Sequence, residues 1–346
     1  MGLKKFVEEK ETTVSKKEPQ VSTKETQEVV EKTNSKETTL INKIEAARNE
    51  FKAEQKKQKK LNYLVTAIMI TILIGAFVLV MTRPVDGEGS SPFVWVGIAL
   101  MGGCLIGSYF VTSAMKKSLT SKANTYIEKL FEESSTYVYS DGVNKNITVQ
   151  PLGKMEDNDF YEGHFYSNLK GTKSRNLVNF TRNNLSYSSC DLAANCLVKN
   201  RLSPKFLGKF YKIEFKGNYK HTTILQMKGN NLSIPIDNVD GLNLIEDNEK
   251  YIIYSDDADA KKIVDGKLLN TIKLIKINDP VVDIIFSIKN NTIRIGIDYV
   301  DSFLTIPVEE NFDLKFTKKS MEDFADIAKI VDQTVANINK SKKTSK

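Results

Sequence analysis

Few residues of this chain have the type and spacing for metal or thiol chemistry. Asp256, Asp257 and Asp259 form an acidic cluster, and their carboxylates are weak candidates for Mg²⁺ or Ca²⁺ ligands. The cluster lacks the glycine and the distal glutamate of a calcium loop, and an apolar helical pattern follows it, so we expect these acids to cap a helix. Cys190 and Cys196 are separated by five residues, a wider gap than a zinc knuckle uses. We therefore predict no metal and no cofactor.

The two histidines, His164 and His221, offer little material for acid–base catalysis, and we expect each to be structural or at the surface. The sequence has no glycine-rich phosphate loop, no Gly-x-Ser-x-Gly elbow and no His-Glu-x-x-His helix. We therefore predict no catalytic and no cofactor-binding residue, and an enzyme is not indicated. Because an acid–base pair assembled across the fold is invisible in a sequence, catalysis stays open as an alternative.

Two long charge-free runs are the first structural elements that the sequence predicts. Leu61–Thr82 has 22 residues and Phe93–Met115 has 23. As a helix, each would span roughly 30 Å, about one bilayer core. Lysines flank both runs, which disfavours buried core helices, and the first run is too long and too far from residue 1 for a signal peptide. The sequence predicts transmembrane helices at 61–82 and 93–115.

Charges beside the two runs predict how they are oriented. Lysines precede the first run and follow the second: Lys52, Lys56, Lys57, Lys59, Lys60, Lys116, Lys117 and Lys122. The ten residues between the runs, 83–92, carry a net charge of −1. The positive-inside rule then predicts a multi-pass protein of the cell membrane, with both termini in the cytoplasm and a short outer loop. Neither run contains Asp, Glu, Lys, Arg or His, which argues against a proton or ion path within this hairpin alone.

Each run also carries small residues four positions apart, which let helix backbones approach closely. We predict that these residues form the seam of an antiparallel hairpin. Contact with a second copy through Gly103 and Gly107 is the alternative. The predicted helix-packing residues are Ala67, Thr71, Gly75, Ala99, Gly103 and Gly107.

The other segments differ in composition and predict an ordered domain between charged ends. The first residues are rich in Lys, Glu, Thr and Ser and cannot bury enough apolar surface to offset chain entropy. Residues 116–346 are long enough for one sizeable domain. The predicted segments are a disordered charged tail at 1–40, a helical lead-in at 41–60, a short outer loop at 83–92, a juxtamembrane helix at 116–139, a cytoplasmic α+β domain at 140–340 and a basic tail at 341–346.

The predicted fold class is α+β, a two-helix transmembrane hairpin followed by a cytoplasmic, mostly antiparallel β domain with flanking helices. A hairpin of 281–288 and 292–299 around Asn290–Asn291 has the clearest signal. Other predicted strands are 147–152, 161–166, 177–180, 209–215, 222–227, 232–236, 242–245 and 251–254. Helices are predicted over 257–274 and 318–340. The last has apolar residues spaced by three and four, so we expect it to dock on its own domain, with pairing to a partner chain or to the helix after the second run as the alternative.

The net charge of +7 could suggest an acidic partner such as nucleic acid. The densest lysine clusters, however, lie beside the two charge-free runs, where anionic lipid contributes about 1 kcal/mol for each lysine. Membrane topology and lipid therefore explain the clusters better, and we expect no nucleic acid. The expected partners are the lipid bilayer and a protein partner or second copy that contacts the transmembrane hairpin or the C-terminal helix.

Four short motifs carry a resemblance to a known family. They are Tyr161-Glu162-Gly163-His164-Phe165, Leu207-Gly208-Lys209-Phe210-Tyr211, Phe215-Lys216-Gly217 and Tyr251-Ile252-Ile253-Tyr254-Ser255-Asp256-Asp257-Ala258-Asp259-Ala260-Lys261-Lys262-Ile263. With the hairpin before them, they resemble the bacterial membrane-protein family domain-of-unknown-function 3137 over roughly residues 60–340. Asp259-Ala260-Lys261 stands where that family has Glu-Ala-Arg, and Asp265-Gly266-Lys267 replaces the Leu-Thr-Pro often found just after. The resemblance implies a bacterial membrane protein with a cytoplasmic α+β domain and supplies no catalytic or binding residue.

These observations lead to one functional hypothesis and two rivals. The hypothesis is an integral membrane protein whose cytoplasmic domain binds a partner, lipid or ligand without catalysis. An accessory subunit of a transporter or envelope-assembly complex is the alternative. A membrane-tethered metal-dependent hydrolase that uses Asp256, Asp257 or Asp259 is the less favoured rival.

Overall fold

The computed structural model describes residues 23–81, 92–198, 201–228, 234–277, 281–299, 312 and 314–344. The predicted outer loop therefore lies outside the described residues except for Pro92, as do residues 1–22 of the predicted tail. The chain divides into two compact units, Met1–Thr39 and Leu40–Lys346. In the first unit, residues 23–39 are helical. Helix α1 thus begins inside the predicted tail, because a polar composition limits burial but does not by itself prevent a helix.

Two long helices open the described chain: α1 is Thr23–Met81 and α2 is Pro92–Tyr139. Residues 20–74 contain neither glycine nor proline, so nothing in the sequence interrupts α1. The predicted lead-in and first apolar run are therefore one helix. The second run and the juxtamembrane helix are likewise one helix, which ends at Tyr139. Each helix is apolar in one half and charged in the other.

A nine-stranded antiparallel sheet forms the centre of the domain that follows, within the described residues. Its order is β1-β2-β3-β4-β9-β8-β5-β7-β6. Together with the helix pair, this arrangement confirms the predicted α+β class. The strands are β1 Lys145–Gln150, β2 Leu169–Arg182, β3 Leu185–Val198, β4 Arg201–Glu214, β5 Thr222–Met227, β6 Asn243–Asp247, β7 Tyr251–Ser255, β8 Val281–Lys289 and β9 Thr292–Tyr299.

Four further helices cover the sheet among the residues that the structure describes. They are α3 Asp157–Tyr161, α4 Ala260–Ile263, α5 Gly266–Ile277 and α6 Leu314–Thr344. The first face of the sheet packs against α4, α5, α6 and the last turns of α2, around residues such as Phe286 and Ile295. The second face packs under α3 and the segment that follows it, around Phe160, Phe206 and Phe210. Alternation of β8 and β9 residues between these two cores explains why both strands are buried along their length.

The hairpin of β8 and β9 was predicted around Asn290–Asn291, and in the structure Lys289 pairs with Thr292 across this turn. Asn290 and Asn291 have φ values of 50° and 58°, the left-handed conformation that a tight two-residue turn needs.

Three other predictions were wrong. Residues 161–166 form the end of α3 and a turn, and residues 234–236 are not in a strand. The helix predicted over 257–274 is two helices, because α4 ends at its C-cap residue Val264. The side chain of Asp265 then accepts a hydrogen bond from the backbone N–H of Leu268 at 2.8 Å, at the start of α5.

The last helix, α6, turns its apolar stripe towards its own domain. Phe324, Val331 and Ile338 are buried in the core of the first face. Phe324 also packs edge-on against Tyr139, the last residue of α2, with ring centroids 4.9 Å apart. The geometry agrees with docking of this helix on its own domain, because little of its apolar stripe is left for a partner chain.

Candidate membrane-interface site

The apolar halves of α1 and α2 expose their large side chains. In the most apolar stretch of each helix, only 6% of the residues of α1 and 11% of those of α2 are buried. By length and composition, both helices can cross a membrane. An exposed apolar surface of this kind marks contact with lipid or with another protein. Its largest members include Tyr63, Ile74, Phe77, Trp95, Ile106 and Phe110.

The two helices pack against each other as an antiparallel pair, which we call the helix pair (residues 40–81 and 92–139). In its apolar half, Gly97 lies so close to Ala76 that an added Cβ atom would be 2.8 Å from the Ala76 carbonyl oxygen. In its charged half, the rings of Phe51 and Tyr126 are stacked with centroids 6.2 Å apart. The two helices therefore touch in both the apolar half and the charged half.

The predicted seam of small residues is not the seam of this helix pair. All six predicted residues are exposed: Ala67, Thr71, Gly75, Ala99, Gly103 and Gly107. An added Cβ atom would meet nothing within 4 Å at Gly75, Gly103 or Gly107. Instead, the residues of α2 that face α1 are spaced by three and four positions from the charged half back to Gly97. This spacing was present in the sequence. Contact of Gly103 and Gly107 with a second copy stays a prediction.

A cleft opens between the two helices where their apolar and charged halves meet. Its volume is about 450 Å³. We call this cavity the interhelical cleft. It is lined by Gln55, Gln58, Lys59, Asn62, Thr112, Met115, Lys116 and Leu119. The lysines of both helices therefore come to the same level, because the antiparallel pairing sets the end of one charged segment beside the start of the other.

Glu54 precedes the lining residue Gln55 and bonds to a second lining residue, Gln58. Its Oε1 accepts hydrogen bonds from Gln58 Nε2 at 3.1 Å and from Ser118 Oγ at 3.2 Å. These bonds, helped by the positive charges of Lys57 and Lys122, lower the pKa of the Glu54 carboxyl. The hydrogen bond from Ser118 joins α1 to α2. The hydrogen bond from Gln58 fixes the orientation of the Gln58 side-chain amide.

The acidic cluster near α4 does not assemble a metal site. Asp256 Oδ1 accepts the backbone N–H of Thr222 at 2.7 Å, and Asp257 Oδ1 accepts that of Asp259 at 2.9 Å. Asp259 pairs with Lys262 at 2.8 Å. Across the described ranges, no group of three or more His, Cys, Asp or Glu side chains has metal-site geometry. These acids stabilise the turn from β7 into α4. Asp259 is the N-cap residue of α4, but its side chain makes no capping hydrogen bond.

The two domain cysteines are both free and buried on β3. They are six positions apart on one strand, which separates them by roughly 20 Å and excludes a shared metal ion. Burial raises the pKa of Cys190 to about 12, so its thiol is not a nucleophile at neutral pH.

Sequence reasoning missed a buried ionic network on the second face of the sheet. Arg294 is 1% exposed and donates to the Asp159 carbonyl oxygen at 2.9 Å and to Glu162 at 2.5 Å. His164 Nε2 lies 2.5 Å from Lys289 Nζ. Burial, then the positive charges of Lys289 and Arg294, lowers the pKa of His164. Alternation along β9 places Arg294 on this face, but its partners come from a turn more than a hundred residues earlier, which no local pattern reveals.

Comparisons with known proteins add little to these observations. No protein-family model matches the chain, and no curated protein matches it. A similar solved structure is the crystal structure of the mycobacterial trehalose monomycolate transport factor A, at 12% sequence identity and a TM-score of 0.32. The match covers 58% of this chain and 94% of that chain. At this TM-score the likeness carries no argument about the chain, and the resemblance to domain-of-unknown-function 3137 stays a prediction.

Proposed function

We propose that the chain is a bacterial membrane protein whose hairpin crosses the cell membrane twice and holds the α+β domain against the cytoplasmic face. There the domain binds a partner without catalysis. The observation that carries this proposal is the continuity of α2, which runs without interruption from an exposed apolar half into the core of the domain. Phe131 and Val138 belong to that core, and the Tyr139 hydroxyl lies 3.1 Å from Ser189 Oγ on the sheet.

Exposure supports the membrane part of this proposal. A soluble protein would bury helices as apolar as these, whereas Tyr63 is 77% exposed and Phe110 is 66% exposed. The lysine clusters lie at one level of the helix pair, as the positive-inside rule requires if both ends of the hairpin face the cytoplasm. A helix that is continuous from membrane to domain sets the distance at which the domain meets a partner.

Alkaline carbonate extraction and protease protection test this proposal. We expect the full chain to stay in the membrane pellet after alkaline carbonate treatment. In inside-out vesicles, added protease should digest the domain of residues 140–344, whereas in right-side-out vesicles it should leave the domain intact. Release of the chain by carbonate would refute the membrane anchor. Digestion in right-side-out vesicles only would invert the topology.

The exposed small residues favour a second candidate, an accessory subunit of a transporter or envelope-assembly complex. Gly103 and Gly107 leave open space on the face of α2 that is turned away from α1, where another transmembrane helix could approach closely. Native mass analysis after mild detergent extraction separates the two candidates. A complex with a larger membrane protein would support the accessory role, and a monomer or homo-oligomer would contradict it.

A further inference from the structure

We propose that the interhelical cleft binds the phosphate of an anionic phospholipid headgroup. This inference rests on the proposed function, since it needs the apolar halves of the helix pair to lie in the bilayer. The cleft would then sit at the cytoplasmic surface of the membrane, where its two lysines meet the phosphate level of the inner leaflet.

The position of the cleft is the first support. On α1 its lining extends from Gln55 to Asn62, which spans the start of the charge-free run at Leu61. On α2 the lining extends from Thr112 to Leu119, which spans the end of the other charge-free run at Met115. The cavity therefore straddles the boundary between apolar and charged surface on both helices. Basic pockets between transmembrane helices at this depth bind anionic headgroups in other membrane proteins.

The donors of the cleft match a phosphodiester. Lys59 and Lys116 contribute two ammonium groups from opposite walls, and neither forms an ion pair with an acid in the part of the chain that the structure describes. Carboxamides of Gln55, Gln58 and Asn62 add neutral N–H donors. A phosphodiester has one negative charge and free oxygens, which charged and amide donors satisfy with short hydrogen bonds.

Glu54, an acid beside the cleft, does not oppose this binding strongly. Glu54 is already held by Gln58 and Ser118, and the nearby charges of Lys57 and Lys122 offset its own. Its role is to orient the Gln58 amide, which is only 8% exposed. The positive charge of Lys59 and Lys116 thus stays available to a ligand.

The shape and surroundings favour a lipid over a soluble anion. Met115 and Leu119 add apolar surface to the lining of the cleft, and Leu61 and Leu64, on either side of Asn62 in the sequence, are 40% and 57% exposed. Acyl chains can continue from the cleft along this apolar surface. A free anion would leave the apolar part of the cavity unused, whereas a headgroup with its glycerol can fill a cavity of about 450 Å³.

The test compares two double variants of the full chain by native mass analysis in mixed detergent–lipid micelles. Lys59→Gln with Lys116→Gln removes both cleft lysines. Lys60→Gln with Lys117→Gln removes the same charge one residue further on, at positions that do not line the cleft. We expect the cleft variant to bind phosphatidylglycerol on the order of tenfold more weakly, and the matched control to bind nearly as well as the original chain. Circular dichroism should show the same helix content in all three.

The remaining arms identify the ligand and separate this inference from the proposed function. Phosphatidylcholine should bind weakly to every chain, and inorganic phosphate should not displace phosphatidylglycerol. Equal losses in the two double variants would overturn the cleft in favour of a general surface charge, and displacement by inorganic phosphate would overturn a lipid ligand. If alkaline carbonate releases the original chain from membranes, the proposed function fails. If the chain stays in membranes and the variants lose binding equally, only the cleft inference fails.

Discussion

Replacing Asp298 with asparagine should change how the stability of the domain depends on pH. Asp298 is 8% exposed on β9, opposite Asp283 of β8, and its Oδ1 accepts the backbone N–H of Leu207 at 2.8 Å. Burial raises the pKa of Asp298 from 3.8 to about 6, against the lowering effect of hydrogen bonds from Leu207 and Tyr299. Asparagine keeps the oxygen that accepts these bonds but cannot ionise.

The expected size follows from linkage between proton binding and folding. Because the folded pKa is raised, the proton stabilises the fold at low pH, and this stabilisation is lost as the pH rises through about 6. Between about pH 4.5 and about pH 7.5 the loss is roughly 2 kcal/mol for pKa values of 3.8 and about 6. Asp298→Asn should therefore gain roughly 2 kcal/mol relative to the original chain over this range.

Denaturant unfolding of the full chain in detergent micelles, followed by far-ultraviolet circular dichroism, measures this difference at each pH. Asp240→Asn is the matched control, because it makes the same substitution at an exposed aspartate. A difference for Asp298→Asn that stays constant across the range would refute the reasoning, since the carboxyl would then titrate alike in the folded and unfolded states.

Three other substitutions test the packing and the membrane anchor. Gly208→Ala should lower the free energy of unfolding by about 3 kcal/mol, because its Cβ would overlap the Ile297 carbonyl oxygen. A thermal unfolding midpoint equal to that of Gly266→Ala, whose Cβ meets nothing within 4 Å, would contradict this. Phe51→Ala should destabilise the helix pair by about 3 kcal/mol and speed amide hydrogen exchange there, while exchange in the sheet stays unchanged. Unchanged exchange in the helix pair would count against this prediction. Ile74→Arg should make insertion about 3 kcal/mol less favourable, so that alkaline carbonate releases more of the chain, and unaltered retention would argue against insertion at this position.

Local patterns predicted much of this fold. The charge-free runs predicted the two apolar helices, and two β-type runs on either side of Asn290–Asn291 predicted the hairpin of β8 and β9. β3 was missed because its sequence, with Ser188, Ser189 and Asn195 among small residues, has weak strand preference. Pairing with β2 and β4 on both sides makes it a strand, and that information is not local.

The candidate site was only partly visible in the sequence. The lysines beside the charge-free runs indicated a membrane boundary, but the cleft depends on the register between α1 and α2. Small residues four positions apart suggested one register, with Gly103 at the seam. The structure follows the longer apolar repeat of the charged half and brings Gly97 to Ala76 instead. Packing over many turns outweighs a short stripe of small residues, because each turn adds buried area to the contact.

Cysteine labelling in intact cells tests the central claim, a hairpin that crosses the membrane with the domain inside. The background chain carries Cys104→Ser, and its two remaining cysteines are buried. In one variant Ser90→Cys adds a thiol in the predicted outer loop, and in the other Asn270→Cys adds one on the exposed side of α5. A membrane-impermeant maleimide should label the first variant in intact cells and the second only after lysis. Labelling of Asn270→Cys in intact cells, with Ser90→Cys protected until lysis, would contradict the account.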